Sequence, residues 1–188
     1  MKRIVSAVLC AVMLFVLTAC GASAPSDADA APASALELLE TVWNSYSDNE
    51  KFPAAGGDYS EENMRDGGPG NFSITDAEVL DSALGFPTAE AVKIDGAASL
   101  VHMMNLNTFT CGAFHAKESG DVTALCGALR ENILARRWMC GFPEKLVIVT
   151  VGDYIVSVFG HADPVDTFTA KLAAAYPNAK TVSDDPIV

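Results

Sequence analysis

Positive charge is scarce in this sequence. Lys and Arg together number 12 against 24 Asp and Glu, which gives the 188-residue chain a formal net charge of −12. Proteins bind nucleic acid largely by neutralising phosphates with Lys and Arg, so this balance argues against a nucleic-acid partner. Half of the residues are hydrophobic, which supports the core of one globular domain and argues against a disordered chain.

The sequence also lacks the short motifs that mark many catalytic and cofactor sites. It has no Cys-x-x-Cys pair, no glycine-rich phosphate loop, no serine elbow and no His-Glu-x-x-His. We therefore expect no cofactor and no metal ion. A binding protein is favoured over an enzyme.

No apolar run is long enough for an ordinary membrane span, and the longest one has the features of an export signal. Residues 4–17 are apolar apart from Ser6 and follow Lys2 and Arg3, whereas a spanning helix needs ~20 such residues. The run leads into Leu-Thr-Ala-Cys at positions 17–20, a tetrad that resembles the lipobox of bacterial lipoproteins. The resemblance implies a signal peptide over 1–20 that is cleaved before Cys20, whose thiol carries a diacylglyceryl group.

Lipidation would place the protein on the extracytoplasmic face of a bacterial cell membrane, anchored through Cys20, because two or more acyl chains hold a protein stably there. The next segment, 21–33, has no large apolar side chain and is predicted to be a flexible acidic tether. Loss of the signal would leave a net charge of about −14. The alternative is an ordinary secretory cleavage near Ala19, with Cys20 an incidental thiol.

The remaining sequence predicts one α+β domain over 34–180 and a frayed tail at 181–188. The order is helix, long loop, short helix, hairpin, helix, hairpin, helix, which fits an antiparallel sheet of about four strands with helices packed on it. The two hairpins are predicted within 100–117 and 145–161, and the second turns at Gly152 and Asp153.

Capping residues and apolar spacing predict the four helices. Ser34 caps a helix over 35–47, and Thr75 caps a short helix that ends at Gly85. A third helix is predicted from 120 to about 140, and a fourth begins behind a cap at Asp163.

The stretch from about 76 to 177, with the lipobox and tether before it, resembles a family of small lipoproteins of low-GC Gram-positive anaerobes that carry domain of unknown function 4358. Three segments carry the resemblance: the strand end at 113–117, the amphipathic helix at 122–138 and the hairpin at 147–156. These are fold motifs. The resemblance implies an extracytoplasmic lipoprotein and transfers no catalytic residue.

Three cysteines lie in the predicted domain, and export would expose them to oxidation. On a continuous third helix, Cys126 and Cys140 would stand ~21 Å apart, whereas a disulfide tolerates ~7 Å between Cα atoms. Cys111 could bridge either of them, with Cys140 the candidate partner, or all three stay buried thiols. Cys111 and His115 share a strand face but stand ~13 Å apart along it, too far for a nucleophilic pair or a shared zinc ion.

Residues 48–73 are rich in Gly, Asp and Asn and are predicted to form a long loop, a feature that is usually functional or disordered. Aromatic residues among Gly and Asn are typical of adaptable binding loops. The candidate binding residues are Phe52, Asp58, Tyr59, Asp66 and Phe72. The acids of this loop lack the spacing of a calcium loop, and Met103, Met104 and Met139 are expected to lie in the core.

These observations favour a lipid-anchored extracytoplasmic lipoprotein of unknown biochemical activity that acts as a non-catalytic binding or accessory domain. Its partners would be the membrane, through Cys20, and an unidentified protein or small-molecule ligand. The alternative is a surface enzyme or thiol-redox protein that uses Cys111. A solute-binding role for a transporter is less favoured, because one domain offers no second lobe to close on a solute.

The lipid anchor is tested by intact mass. Protein from the native membrane should be heavier than the cleaved chain by two or three acyl groups, and Cys20→Ala should abolish the increase because no other atom there forms the thioether. An unlipidated chain of wild-type sequence in the medium would contradict the anchor.

Overall fold

The computed structural model describes residues 31–58, 60–139 and 141–187. Within these ranges the helices are α1 (Ala35–Asn44), α2 (Ala77–Leu84), α3 (Val122–Leu134) and α4 (Ala162–Ala175). The strands are β1 (Ala54–Gly56), β2 (Arg65–Asp66), β3 (Gly70–Asn71), β4 (Ile94–His102), β5 (Phe109–Ala116), β6 (Lys145–Val151), β7 (Tyr154–Gly160) and β8 (Lys180–Pro186). Among the described residues, no helix has the length and apolarity needed to cross a membrane.

All eight strands join one antiparallel sheet in the order β2-β1-β4-β5-β7-β6-β8, and β3 also pairs with β4. The predicted α+β class with an antiparallel sheet is confirmed, but the predicted number of about four strands is wrong. The additional strands are short or polar, and such segments lack the alternating hydrophobic pattern by which a strand is recognised.

The middle of the sheet is buried on both faces. Every residue of β7 is buried, as is every residue of β5 except His115. Helices α1 and α4 pack on one face and α2 and α3 on the other, which divides the core into two clusters. The fold is therefore a sheet between two helical layers.

Both predicted hairpins form, although the first is longer than expected. β6 and β7 turn at Gly152 and Asp153 as predicted. β4 begins at Ile94, six residues before the predicted start, and its first part is rich in small residues, which have little strand propensity. β7 lies between β5 and β6, so the strands of the two hairpins form one continuous sheet.

The helix caps differ from the prediction in detail. Ser34 caps α1 as predicted, accepting a hydrogen bond from the Glu37 amide at 3.0 Å, but α1 ends at Asn44. The cap of α2 is Asp76, whose carboxylate accepts from two backbone amides, and the predicted Thr75 is wrong. His161 precedes α4, and Asp163 lies in its first turn.

Helix α3 ends at Leu134, well before the predicted end near 140. The Arg136 guanidinium donates to the carbonyl oxygens of Asp81 and Ser82, at 2.8 and 2.6 Å, and so ties the chain after α3 to α2. The continuous helix that was expected to separate Cys126 from Cys140 is therefore not formed.

Residues 181–186, predicted to belong to a frayed tail, form most of β8 and pair with β6. Asp185 accepts two hydrogen bonds from Arg130 of α3, one of them from Nε at 2.7 Å. The strand is largely exposed and polar, which explains why its sequence has no strand signal.

Two glycines with positive φ provide a matched test of this packing. A Cβ at Gly85 (φ 76°) would lie 2.5 Å from Ile133 Cγ1, whereas a Cβ at Gly152 (φ 60°) would meet nothing within 4 Å. We expect Gly85→Ala to lower the free energy of unfolding by about 2–4 kcal/mol, through backbone strain plus the clash. Gly152→Ala should cost about 1–2 kcal/mol from strain alone. Urea unfolding measures both, and equal losses would contradict the packing of α2 on α3.

Candidate functional site

The predicted long loop folds onto the sheet as a strap, defined here as residues 54–58 and 60–73. β1 pairs with Val101 and His102 of β4, and β3 pairs with Ala98 and Ser99. The backbones approach closely: a Cβ at Gly56 would lie 2.4 Å from the Gly70 amide nitrogen and 2.5 Å from the Ser99 carbonyl oxygen. Glycine at position 56 therefore lets the strap lie against β4.

Asp58 holds the strap together from inside. Its carboxylate accepts hydrogen bonds of 2.9 Å from the Ser60 amide, the Asn63 side-chain amide and the Ser73 amide. Burial favours the protonated acid, but the hydrogen bonds from Ser60, Asn63 and Ser73 outweigh it and lower the pKa of Asp58 to about 2. The carboxylate is thus an internal brace at neutral pH.

A cavity of about 280 Å³ lies between the strap, β4 and the end of α2. Phe72, Leu84 and Val101 contribute to its walls. Met64, Met103 and Leu106 lie at its rim and are 51%, 49% and 42% exposed. The volume lies just below the range of ligand pockets, which span ~300–1,000 Å³.

The two polar side chains that line this cavity are already hydrogen-bonded within the strap. Ser99 Oγ accepts from the Gly57 amide at 2.9 Å and donates to the Gly57 carbonyl oxygen at 3.2 Å, and Asp58 is engaged as described above. The surface offered to a ligand is therefore mainly apolar.

The methionines expected in the core are exposed instead. Met103, Met104 and Met139 are 49%, 77% and 78% exposed. Met103 follows β4 at the turn into β5, where the sheet no longer covers it. Flexible methionine side chains at a cavity rim are typical of surfaces that adapt to apolar ligands.

The structure brings together two of the five candidate binding residues. Asp58 and Phe72 line the cavity. Phe52 packs against Trp43 and Phe109, in the cluster on the other face of the sheet. Asp66 lies exposed on edge strand β2, and Tyr59 lies outside the described residues.

Sequence reasoning missed most of the cavity, because its walls come from distant segments. Ala83 and Leu84 belong to α2, Val101 and Met103 to β4 and the turn after it, and Leu106 to the 3-10 turn before β5. The one available signal was the pair of apolar residues Met103 and Met104 next to a predicted turn, where burial is uncommon.

The cysteines described are poorly placed for thiol chemistry. Cys111 is fully buried, and burial raises its pKa well above the ordinary range. Burial also raises the pKa of Cys126 to about 11. The two lie in clusters on opposite faces of the sheet and do not pair. Cys140 and Cys20 lie outside the described residues, so a Cys111–Cys140 disulfide and lipidation of Cys20 stay predictions.

His115 lies close to Cys111 in sequence, but its imidazole contacts Asp95 and Tyr154. His115 Nδ1 lies 2.5 Å from Asp95 Oδ1, and the imidazole packs on the Tyr154 ring. Within 31–58, 60–139 and 141–187, no three His, Cys, Asp or Glu residues form a group suited to a metal ion. Cys111 and His115 thus do not form a pair for nucleophilic catalysis.

Comparison with known proteins found no matching family model, no matching curated protein and no matching solved structure. The resemblance to domain of unknown function 4358 therefore stays a prediction from the sequence.

The brace at Asp58 can be tested through the pH dependence of stability. At pH 7, Asp58→Asn should lower the free energy of unfolding by about 1–3 kcal/mol, because an amide cannot accept all of these hydrogen bonds. The bound carboxylate has a lowered pKa, so its contribution is complete above the ordinary pKa near 4 and is lost as the pH falls through 2. The difference from wild type should shrink over that interval in urea unfolding.

Asp66→Asn is the matched control, because Asp66 is an exposed carboxylate in the same strap. It should change the stability by less than about 0.5 kcal/mol at either pH. Equal effects of the two substitutions would contradict the role of Asp58.

Proposed function

We propose that this chain is a lipid-anchored lipoprotein on the extracytoplasmic face of a bacterial cell membrane, and that its domain binds an apolar ligand without converting it. The cavity beneath the strap is the binding site. The observation that carries the proposal is the open apolar rim, where Met64, Met103 and Leu106 stay about half exposed around an apolar cavity.

The rim is unfavourable unless something covers it. Apolar surface left in water forgoes ~25 cal/mol per Å² of stabilisation, and contiguous exposed apolar patches commonly mark interaction sites. A ligand that fills the cavity and covers the rim would recover this free energy. Because Ser99 and Asp58 are already hydrogen-bonded in the strap, they demand no polar partner from the inserted part of the ligand.

The anchor and the tether supply the membrane part of the proposal. The lipobox ending at Cys20 and the segment 21–33 are the observations that support it. A flexible tether of this length would hold the domain on the order of 20 Å from the bilayer. The cavity would then sample apolar molecules close to the membrane surface.

The side chains at the cavity support binding without catalysis. Phe72, Leu84 and Val101 have no group that transfers a proton or attacks a substrate, and the Asp58 carboxylate is held in hydrogen bonds. Catalysis through Cys111 has no support from the geometry, because that thiol is fully buried in the cluster on the other face.

The proposal is tested with the neutral fluorescent probe N-phenylnaphthylamine and the purified full chain. We expect the probe to bind with a dissociation constant on the order of tens of micromolar. Ala83→Leu should weaken binding at least tenfold, because Ala83 lines the cavity and a larger side chain would occupy it.

Ala174→Leu makes the same exchange on an exposed part of α4 and should leave probe binding unchanged. Thermal unfolding of both variants separates a filled cavity from a damaged fold. Absence of probe binding to the folded wild-type chain, or equal binding by the Ala83→Leu chain, would overturn the proposed site.

A further inference from the structure

A second, smaller cavity of about 200 Å³ adjoins the first. The two cavities share Ala83 and Leu106 in their walls. The smaller one is also lined by Arg136, Arg137 and Trp138, which follow the end of α3. An apolar chamber therefore stands next to a cationic one.

Arg136 and Arg137 are not paired with carboxylates, a property they share with Lys51, Arg65, Lys117 and Lys180 among the described residues. What distinguishes the two arginines is that they line one cavity together. Arg130, Lys93, Lys145 and Lys171 each lie within 4 Å of a carboxylate oxygen. Among the described residues, neither Arg136 nor Arg137 forms such an ion pair, and no described carboxylate lines the smaller cavity.

The two arginines have different structural roles. Arg136 is half-buried and uses Nη2 to hold the end of α2 through the Asp81 and Ser82 carbonyl oxygens. Its charge stays next to the cavity. Arg137 is exposed and makes no hydrogen bond to another described residue, so its guanidinium is available to a ligand.

Trp138 adds an unsatisfied donor to the same wall. Its indole Nε1 is buried and has no acceptor among the described residues, and a buried donor without a partner costs about 1–3 kcal/mol. The ring is held between Phe159, at 5.4 Å, and the Arg136 guanidinium, at 5.7 Å. Because Nε1 is buried, the ring would have to shift to present this donor to the cavity, and an anionic oxygen there would then supply the missing acceptor.

We propose that the ligand is an anionic amphiphile, a small molecule with a linear apolar tail and a carboxylate head. The tail occupies the cavity beneath the strap, and the carboxylate lies in the adjoining cavity against Arg137, Arg136 and the Trp138 indole. This inference rests on the proposed function and specifies the chemistry of its ligand.

The arrangement favours a carboxylate with a flexible tail over a neutral apolar molecule. A guanidinium offers parallel N–H donors that match a carboxylate. Ala83 and Leu106 line both cavities, so a ligand that occupies both must pass these two residues. A thin alkyl chain suits this position better than a rigid ring system. The negative net charge of the chain repels anions in general, so this local positive site would select where such a ligand binds.

Calorimetric titration of the purified full chain with decanoate below its micelle-forming concentration, and with decanol below its solubility limit, tests the inference. The two probes have the same tail and differ in the head. Decanoate should bind roughly tenfold more tightly than decanol. Added salt should weaken only decanoate binding, because salt screens the charge of the head.

Two variants test which residues bind the carboxylate head, and a third serves as the control. Arg137→Gln should weaken decanoate binding roughly tenfold and leave decanol binding unchanged. Trp138→Phe keeps a ring but removes the N–H donor, and should cause a smaller loss with the same selectivity. Lys180→Gln removes an exposed cation from β8, outside both cavities, and should change neither.

The possible results separate this inference from the proposed function. Equal binding of decanoate and decanol, or equal effects of Arg137→Gln and Lys180→Gln, would overturn the anionic head while leaving the apolar site intact. Tighter binding of a peptide with a C-terminal leucine than of decanoate would also overturn it, in favour of a polypeptide ligand. Failure of N-phenylnaphthylamine and both decyl probes would overturn the proposed function itself.

Discussion

Burial of the central strands on both faces is the constraint on which the rest of this structure depends. Because neither face of β7 meets water, each face needs a helical layer, and the apolar sides of α1 with α4 and of α2 with α3 provide them. This arrangement also determines whether a reactive side chain on these strands is buried. A thiol on β5, such as Cys111, points into one of the two clusters, where its ionisation is suppressed.

The cavity lies where the helical covering of the sheet is incomplete. α2 has eight residues and is ~12 Å long, whereas β4 has nine residues and extends ~30 Å. The helix therefore leaves part of the neighbouring sheet uncovered, and the strap covers part of the remainder. The strap can do so because glycines allow its backbone to approach β4 and because the Asp58 carboxylate gathers its amide donors. The space left between helix and strap is apolar because strand and helix both direct core-facing side chains into it.

The net charge does not show how the positive side chains are placed in the structure. The chain is strongly acidic, and several cations are used in ion pairs that fasten one element to another, as Arg130 fastens β8 to α3. The early end of α3 brings Arg136 back to the carbonyl oxygens of α2 and places Arg137 and Trp138 beside it. One helix terminus thus both secures α2 and creates a small positive region next to the apolar cavity, which is the basis for our assignment of an anionic, amphiphilic ligand.

Local patterns in the sequence were enough to predict the α+β class, the Ser34 cap, the end of α2 at Gly85 and the β6–β7 turn, because each depends on residues within a few positions of one another. The same local patterns predict the signal peptide, the anchor at Cys20 and the tether. Only the tertiary structure decided the rest. β8 is polar and exists because β6 offers it a free edge, and α3 ends early because Arg136 finds acceptors on α2. The cavity joins Phe72, Ala83, Val101 and Leu106, four residues with no common spacing in sequence, because the folded sheet and helices bring their separate segments together.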